Sequence, residues 1–179
     1  METCYKGFNE ELQSTRGRGV FQWEIGKWYE ADGDAKCHRN GFHCAENPLD
    51  CLRVYPYNGQ NRYFLVEIDG EIDDEGSEIS ASRMRLVEEL TIEELLIEAV
   101  RYAVRHPKDN QRLGTGEQCR RNDVVIVLSE NPVVHVQEAP VYAGMIQINQ
   151  DGKPIKARAF KLEHKGIFGI EGEYAEENG

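Results

Sequence analysis

Cys37, His38, His43 and Cys44 put thiol and imidazole groups close together in the chain, spaced C-H-x4-H-C. These are ligand types that zinc favours. The spacing is not that of a recognised finger, and Cys51 falls seven residues further on. The plainer reading is therefore that the cysteines are small core residues, with a zinc site as the alternative. His43 can act as an acid or base or stack on a planar ring; equally, it can be a strand-end histidine bonded to backbone. Lys6, followed by Gly7, can hold a phosphate or ribose oxygen, or be an exposed lysine at a strand end. Asp123 and Glu130 offer carboxylates that can polarise a reacting group, or are ordinary acids at a loop edge. Trp23, Trp28, Tyr29 and Tyr55 can line a base-binding pocket or serve as core aromatics. The chain has no GxxxxGK[ST], no GxGxxG after a strand and no GxSxG, so the common nucleotide and hydrolase signatures are missing.

The elements that must position these residues follow from the pattern. The stretch Gly41 to Ile72 holds a strand end, a capped helix and a long strand. Asn47 is a good N-cap and Pro48 suits the first helical position. Leu49, Leu52 and Tyr55 can share one buried face, and Pro56 ends the helix. Arg62 to Ile72 alternates, with Phe64, Val66 and Ile68 on one face and Tyr63, Leu65 and Glu67 on the other. Before it, Cys4 to Phe8 reads as a first strand and Val20 to Tyr29 as a strand bent at Gly26. After it come an acidic turn, a strand over the second half of Ile79 to Leu90, and a helix over Ile92 to His106. Thr91 and Glu94 make a capping box for that helix, and its apolar stripe is core. Lys108 to Asn122 reads as a polar loop, and Asp123 to Leu128 as a buried central strand. Val133 to Val136 and Val141 to Ile148 are further strands. The Asp-Gly of Asn149 to Lys153 signals a hairpin into Ile155 to Leu162, followed by Ile167 to Glu171.

The chain has 179 residues and 40% hydrophobic residues, enough for a core. The expected fold class is α+β, a mixed or antiparallel sheet with two helices. The expected domains are a core over residues 1–137, a C-terminal β element over 138–171, and an acidic tail over 172–179. The net charge of −11 argues against a surface that tracks nucleic-acid phosphates or an anionic membrane. An acidic mimic of DNA is the exception; ordinary solubility is the plainer reading. No run of about 18 apolar residues suggests a membrane span. METCYKGFNEE is not a secretory leader. Five cysteines without one suggest reduced thiols and a cytoplasmic location.

The strings YKGF, FQWEIGKWYE, GFHCAENPLDCLRVY, FLVEIDGEI and LTIEELL, in that order, resemble an uncharacterised family of phage and prophage proteins. The resemblance covers Tyr5 to Arg105 and resumes at DGKPIKARAFKLEHKGIFGIE, Asp151 to Glu171. Members often carry a Gly-, Ser- and Ala-rich middle; here Lys108 to Asn122 stands in its place. This resemblance implies a phage or prophage origin and no particular activity.

A second, looser resemblance is to the ADP-ribosyltransferase fold, through YKG, then GFHCAENPLDCLRVY, then YFLVEIDGEI. It implies an ADP-ribosyltransferase-like core followed by a C-terminal β hairpin. It puts Lys6-Gly7 in the place of the first strand's His-Gly, and His43 in that of the tyrosine that stacks on nicotinamide. NDVVIVLSENPVVHV then resembles the strand that supplies the acid, with Asp123 in its place and Glu130 nearby. NAD is the implied cofactor. Tyr5, Lys6, Gly7, Gly41, Phe42 and Tyr55 are the implied binding residues, and His43, Asp123 and Glu130 the implied catalytic ones. The catalytic types depart from the usual His-Tyr-Glu and Arg-Ser-Glu sets. Three readings stay open: an NAD-dependent transferase that modifies a host target, a non-enzymatic protein that binds and blocks a host factor such as a defence protein, and a zinc-stabilised structural module.

Overall fold

The computed structural model describes residues 2–17, 19–76, 78–107, 116 and 118–174. Contacts divide the chain into two compact units, Met1–Leu95 and Leu96–Gly179. The chain is α+β, strand-rich with two short helical segments and several mainly antiparallel sheets.

In the first unit, β1 (Glu2–Phe8) pairs antiparallel with β6 (Arg62–Asp74), and β6 with β7 (Ile79–Leu90). The alternation in β6 decides its faces: Phe64, Val66 and Ile68 are each 0% exposed and join the core with Met84, Leu86 and Phe8. On the other face Arg85 pairs with Glu67 and Arg83 with Asp69, each opposite its partner in the β6–β7 register. β7 is a strand along its whole length, not only in its second half as expected, because Ile79 and Ala81 are buried against this core.

Val20 to Tyr29 is broken where one bent strand was expected. β2 (Gln13–Ser14) pairs with β3 (Phe21–Gln22), while β4 (Tyr29–Glu30) pairs with β7. Gly26, at φ +80°, reverses the chain between them. The short helix starts as predicted: Asn47 Oδ1 accepts the Leu49 N–H at 3.1 Å and Pro48 opens a 3-10 turn, Pro48–Asp50, that runs into α1 (Cys51–Val54). Its buried side chains are Pro48 and Cys51, with Tyr55 just beyond. Leu49 and Leu52 are half-exposed, because the 3-10 start shifts the face that meets β1. At that contact a Cβ on Gly7 would lie 3.1 Å from the Tyr55 ring.

β5 (Phe42–Cys44) pairs with β7, and the next residue, Ala45, bonds back to β1. Tyr5 N–H donates to Ala45 O and Ala45 N–H to Tyr5 O, both at 2.8 Å. The sheet therefore closes on itself around β1, β6, β7 and β5.

α2 (Ile92–Arg105) carries the chain from one unit into the other, and its Thr91–Glu94 capping box forms as the sequence indicates. In the second unit β8 (Val124–Ser129), β10 (Val141–Ile148) and β11 (Pro154–Leu162) form a sheet of order β11-β10-β8, with β8 and β10 parallel. The central strand is thus β10 and not β8, and six consecutive β10 residues are buried. β9 (Val133–Val136), β12 (Gly166–Gly169) and β13 (Gly172–Glu173) form a second small sheet. The β8–β10 and β9–β12 pairs cross residue 137, so strands on both sides of it build one unit. Most of the predicted Lys108 to Asn122 loop lies outside the described residues.

Gly144 of β10 lies under α2: a Cβ there would be 2.5 Å from Val100 Cγ2 and 3.0 Å from Ile126 Cγ1. Gly144→Ala should cost about 1–3 kcal/mol by overpacking. A urea melt is expected to show a lower midpoint at unchanged slope.

Candidate functional site

Closure of the first sheet leaves a cleft of about 730 Å³ between β1, β5 and the α1 segment. Tyr5, Lys6, Gly7, Gly41, Phe42, His43 and Tyr55, all picked out in the sequence, line it together. Gly41 is required by its conformation and its space. Its φ is +94°, and a Cβ would stand 2.4 Å from Ser80 Oγ and 3.0 Å from Ala81 O.

Lys6 reaches across from β1, and its ammonium donates to the His43 carbonyl oxygen. Its Nζ lies 5.7 Å from the Phe8 ring centre and 5.9 Å from that of Trp23, within cation–π reach. Part of the side chain still faces the cleft, but its charge is desolvated, and this burial pulls its pKa below the ordinary 10.5.

His43 Nε2 is buried and has no hydrogen-bond partner. The nearest carboxylate oxygen is Glu78 Oε1, 3.7 Å away and too far for a hydrogen bond. Burial is the main cause that lowers the His43 pKa below 6.5; Glu78 opposes it and Lys6 adds to it. Near neutral pH the ring is thus an uncharged donor–acceptor. Glu78 also reaches His38, with Oε2 at 2.9 Å from Nδ1. Sequence reasoning missed Glu78, which stood in an acidic turn with no pattern of its own. The β5–β7 register, His43 opposite Ser80, is what brings it to the histidine.

The aromatics divide. Trp23 packs edge-on with Phe21, Tyr29 and Phe42 at centroid distances of 4.9–5.0 Å, and its indole N–H donates to Ser14 Oγ at 2.9 Å. It is both core and cleft floor. Tyr55 lines the cleft, and its hydroxyl accepts the Thr15 N–H at 2.7 Å. Trp28 instead lies against the guanidinium groups of Arg83 and Arg85, at 4.9 and 5.1 Å, away from the cleft lining.

Asp123 and Glu130 belong to the second unit. Asp123 Oδ2 accepts the Arg120 N–H at 2.7 Å, closing the turn before β8. Glu130 is exposed, and its backbone oxygen accepts from Gln147. The cleft lining comes wholly from the first unit, where its carboxylates are Asp50 and Glu78.

Cys44 and Cys51, the cysteines in the cleft lining, are not poised as nucleophiles. Burial raises Cys51 to about 12. Cys44 is raised well above 9.0 by its hydrogen bond with Cys4 and by burial. The C-H-x4-H-C residues part company: Cys44 turns to Cys4, His38 and His43 face Glu78, and Cys37 Sγ donates to the carbonyls of Asp73 and Glu78. Among the described residues, the donors within 4.8 Å of one another are those of Cys37, Asp73 and Glu75.

The His43 environment sets a sign for pH dependence. A folded pKa below 6.5 means that the unfolded chain binds the proton more tightly. Stability therefore falls as pH drops through 6.5 towards the folded value. Urea midpoints at pH 7.5 and 5.5 should show a larger loss in the wild type than in His43→Gln. Equal losses would remove His43 from the account.

No helix among the described residues is long and apolar enough to cross a membrane. Comparison with curated proteins and with solved structures found no match. A family model matches residues 2–98, more than half of the 179 residues and a span that holds every residue lining the cleft. The chain belongs to the family described as Domain of unknown function (DUF7666).

Proposed function

We propose that the cleft of the first unit binds NAD or a related nucleotide, and that the protein is a phage or prophage accessory protein that uses this site on a host target. The observation that carries the reading is the juxtaposition of a desolvated lysine ammonium, an unpartnered buried imidazole nitrogen and aromatic walls in one cleft. Burying a charge and leaving a polar atom unsatisfied both cost stability. Such costs concentrate where a ligand repays them. The volume falls within the roughly 300–1,000 Å³ of small-molecule sites.

The residues fit a nucleotide. Lys6, with Arg16 and Arg53 further along the lining, supplies positive charge for phosphate oxygens in an otherwise acidic unit. Phe21, Phe42 and Tyr55 supply flat apolar surface for a base. Neutral His43 can stack on a ring or share a hydrogen bond. A fold like that of the ADP-ribosyltransferases would place the reactive ribose beside a carboxylate. In the cleft that carboxylate is Glu78, in the role the sequence resemblance gave to Asp123 or Glu130. When NAD is bound, the chemistry is loss of nicotinamide and transfer of the sugar carbon to an acceptor. Lys6 orients the phosphates, and Glu78 favours the positive charge that develops on the sugar.

Calorimetric titration with NAD, with nicotinamide release followed in the same samples, tests this. The wild type should bind saturably. Lys6→Met should bind about tenfold or more weakly, the loss of one charge-assisted hydrogen bond. Glu78→Gln should bind but release no nicotinamide. Binding without release in the wild type would leave a nucleotide-sensing site and remove the transferase chemistry; no binding at millimolar NAD would remove the reading altogether.

A further inference from the structure

Glu78 lies on no strand: it stands at the end of the turn that joins β6 to β7. A side chain on such a turn swings freely unless something holds it, yet Glu78 is held at its backbone and faced at its carboxylate. Its carbonyl oxygen accepts the Glu75 N–H at 3.1 Å. Cys37 ties the two arms of the turn together. Its N–H donates to Asp73 Oδ2 at 2.8 Å, and its thiol hydrogen is shared between the carbonyls of Asp73, at 3.1 Å, and Glu78, at 3.3 Å. Burial raises the Cys37 pKa, so the group stays a thiol and a donor near neutral pH.

His38 follows, at the tip of a short hairpin turn. Lys36 and Asn40 exchange backbone hydrogen bonds, both 2.9 Å, and the Asn40 side chain donates to the carbonyls of Asp32 and Asp34 at 2.7 and 3.0 Å. The Asn40 carbonyl accepts the hydroxyl of Ser80, a fully buried residue of β7, at 2.6 Å. The turn is therefore fixed to the strand that starts just after Glu78. Within it the His38 backbone has φ +61°, in the left-handed region that suits glycine and that other residues seldom adopt. The ring stands between two acids, with Nδ1 2.9 Å from Glu78 Oε2 and Nε2 3.4 Å from Glu75 Oε2. The side chain is 68% exposed, so these ion-pair contacts add little to stability. A strained backbone kept for a contact that hardly stabilises the fold is the pattern of a functional site.

We infer that His38 is a positioning residue for Glu78. Its imidazole holds Oε2, which leaves Oε1, 3.7 Å from His43 Nε2, as the oxygen presented to a ligand. The inference rests on the transferase reading of the cleft, in which Glu78 faces the positive charge that develops on the sugar. His38 and Glu78 both belong to the cleft lining, but His38 acts through the carboxylate and not on the reacting atoms. It adds no step to the reaction and moves no proton. It removes the freedom of Glu78 to turn away, and misplacement of a reacting group costs rate rather than binding. Cys37 does the same for the backbone of residue 78.

The test uses the full chain and follows nicotinamide release from NAD. His38→Gly keeps a backbone that glycine adopts readily and removes only the ring; the position is exposed, so free imidazole can take the ring's place. Relative to the wild type, kcat should fall about tenfold or more with KM changed by less than about threefold, and added imidazole should restore most of the kcat. The nitrogen spectrum of the histidine side chains gives a readout that needs no turnover: the His38 signals should shift in Glu78→Gln. Unmoved His38 signals, a wild-type kcat in His38→Gly, or a loss that falls on KM or that imidazole leaves unrestored would each overturn the inference while the transferase reading stands. A wild type that binds NAD and releases no nicotinamide would remove that reading and this inference with it. The thermal melt of His38→Gly should be as cooperative as that of the wild type; loss of fold would give His38 a structural role instead, and would also overturn the inference.

Discussion

The first unit depends on two hydrogen bonds. Tyr5 and Ala45 exchange their backbone N–H and C=O groups, and that exchange joins β1 to the end of β5 and closes the sheet. Without it, among the described strands, β1 would pair only with β6 and β5 only with β7. With it, residue 6 and residue 43 face each other across the seam. Lys6 then finds the His43 carbonyl, and both residues line the cleft. Gly41 and Gly7 are the two backbone positions that let the seam and the α1 segment come this close.

The seam has an electrostatic consequence. An isolated buried ammonium costs several kcal/mol in lost hydration. Here the carbonyl of His43, the faces of Phe8 and Trp23 and the charge of Glu78 offset part of that cost. The rest remains as a depressed lysine pKa and an unsatisfied histidine nitrogen. Ordinary core packing would have used a methionine or leucine at residue 6. The Cys4 hydrogen bond and burial raise the Cys44 thiol nearby, and burial raises that of Cys51, which makes both poor nucleophiles.

Much of the local structure was legible in the sequence because its signals are local. The Asn47-Pro48 start, the Thr91–Glu94 box and the alternation of β6 each depend on residues within one turn or one strand, and each formed as expected. Gathering the YKG and GFH residues into one cleft was legible too, through the order of short motifs rather than through any periodicity. Features set by register were not. The break in Val20 to Tyr29 follows from where β4 can pair on β7, and the central place of β10 follows from which strands it pairs with in space. Glu78 reaches His43 only because His43 lies opposite Ser80. A single sequence does not state register, so an acid in a polar turn looked like any other.

The central claim is that the seam between β1 and β5 builds a nucleotide site. Backbone amide spectra of the isotopically labelled protein, recorded while NAD is added, test it at the level of residues. The account predicts saturable shifts concentrated at Tyr5 to Gly7, Gly41 to Ala45 and Glu78, with the amides of β8 and β10 unmoved. Shifts centred on the second unit, or a spectrum unchanged at millimolar NAD, would contradict it.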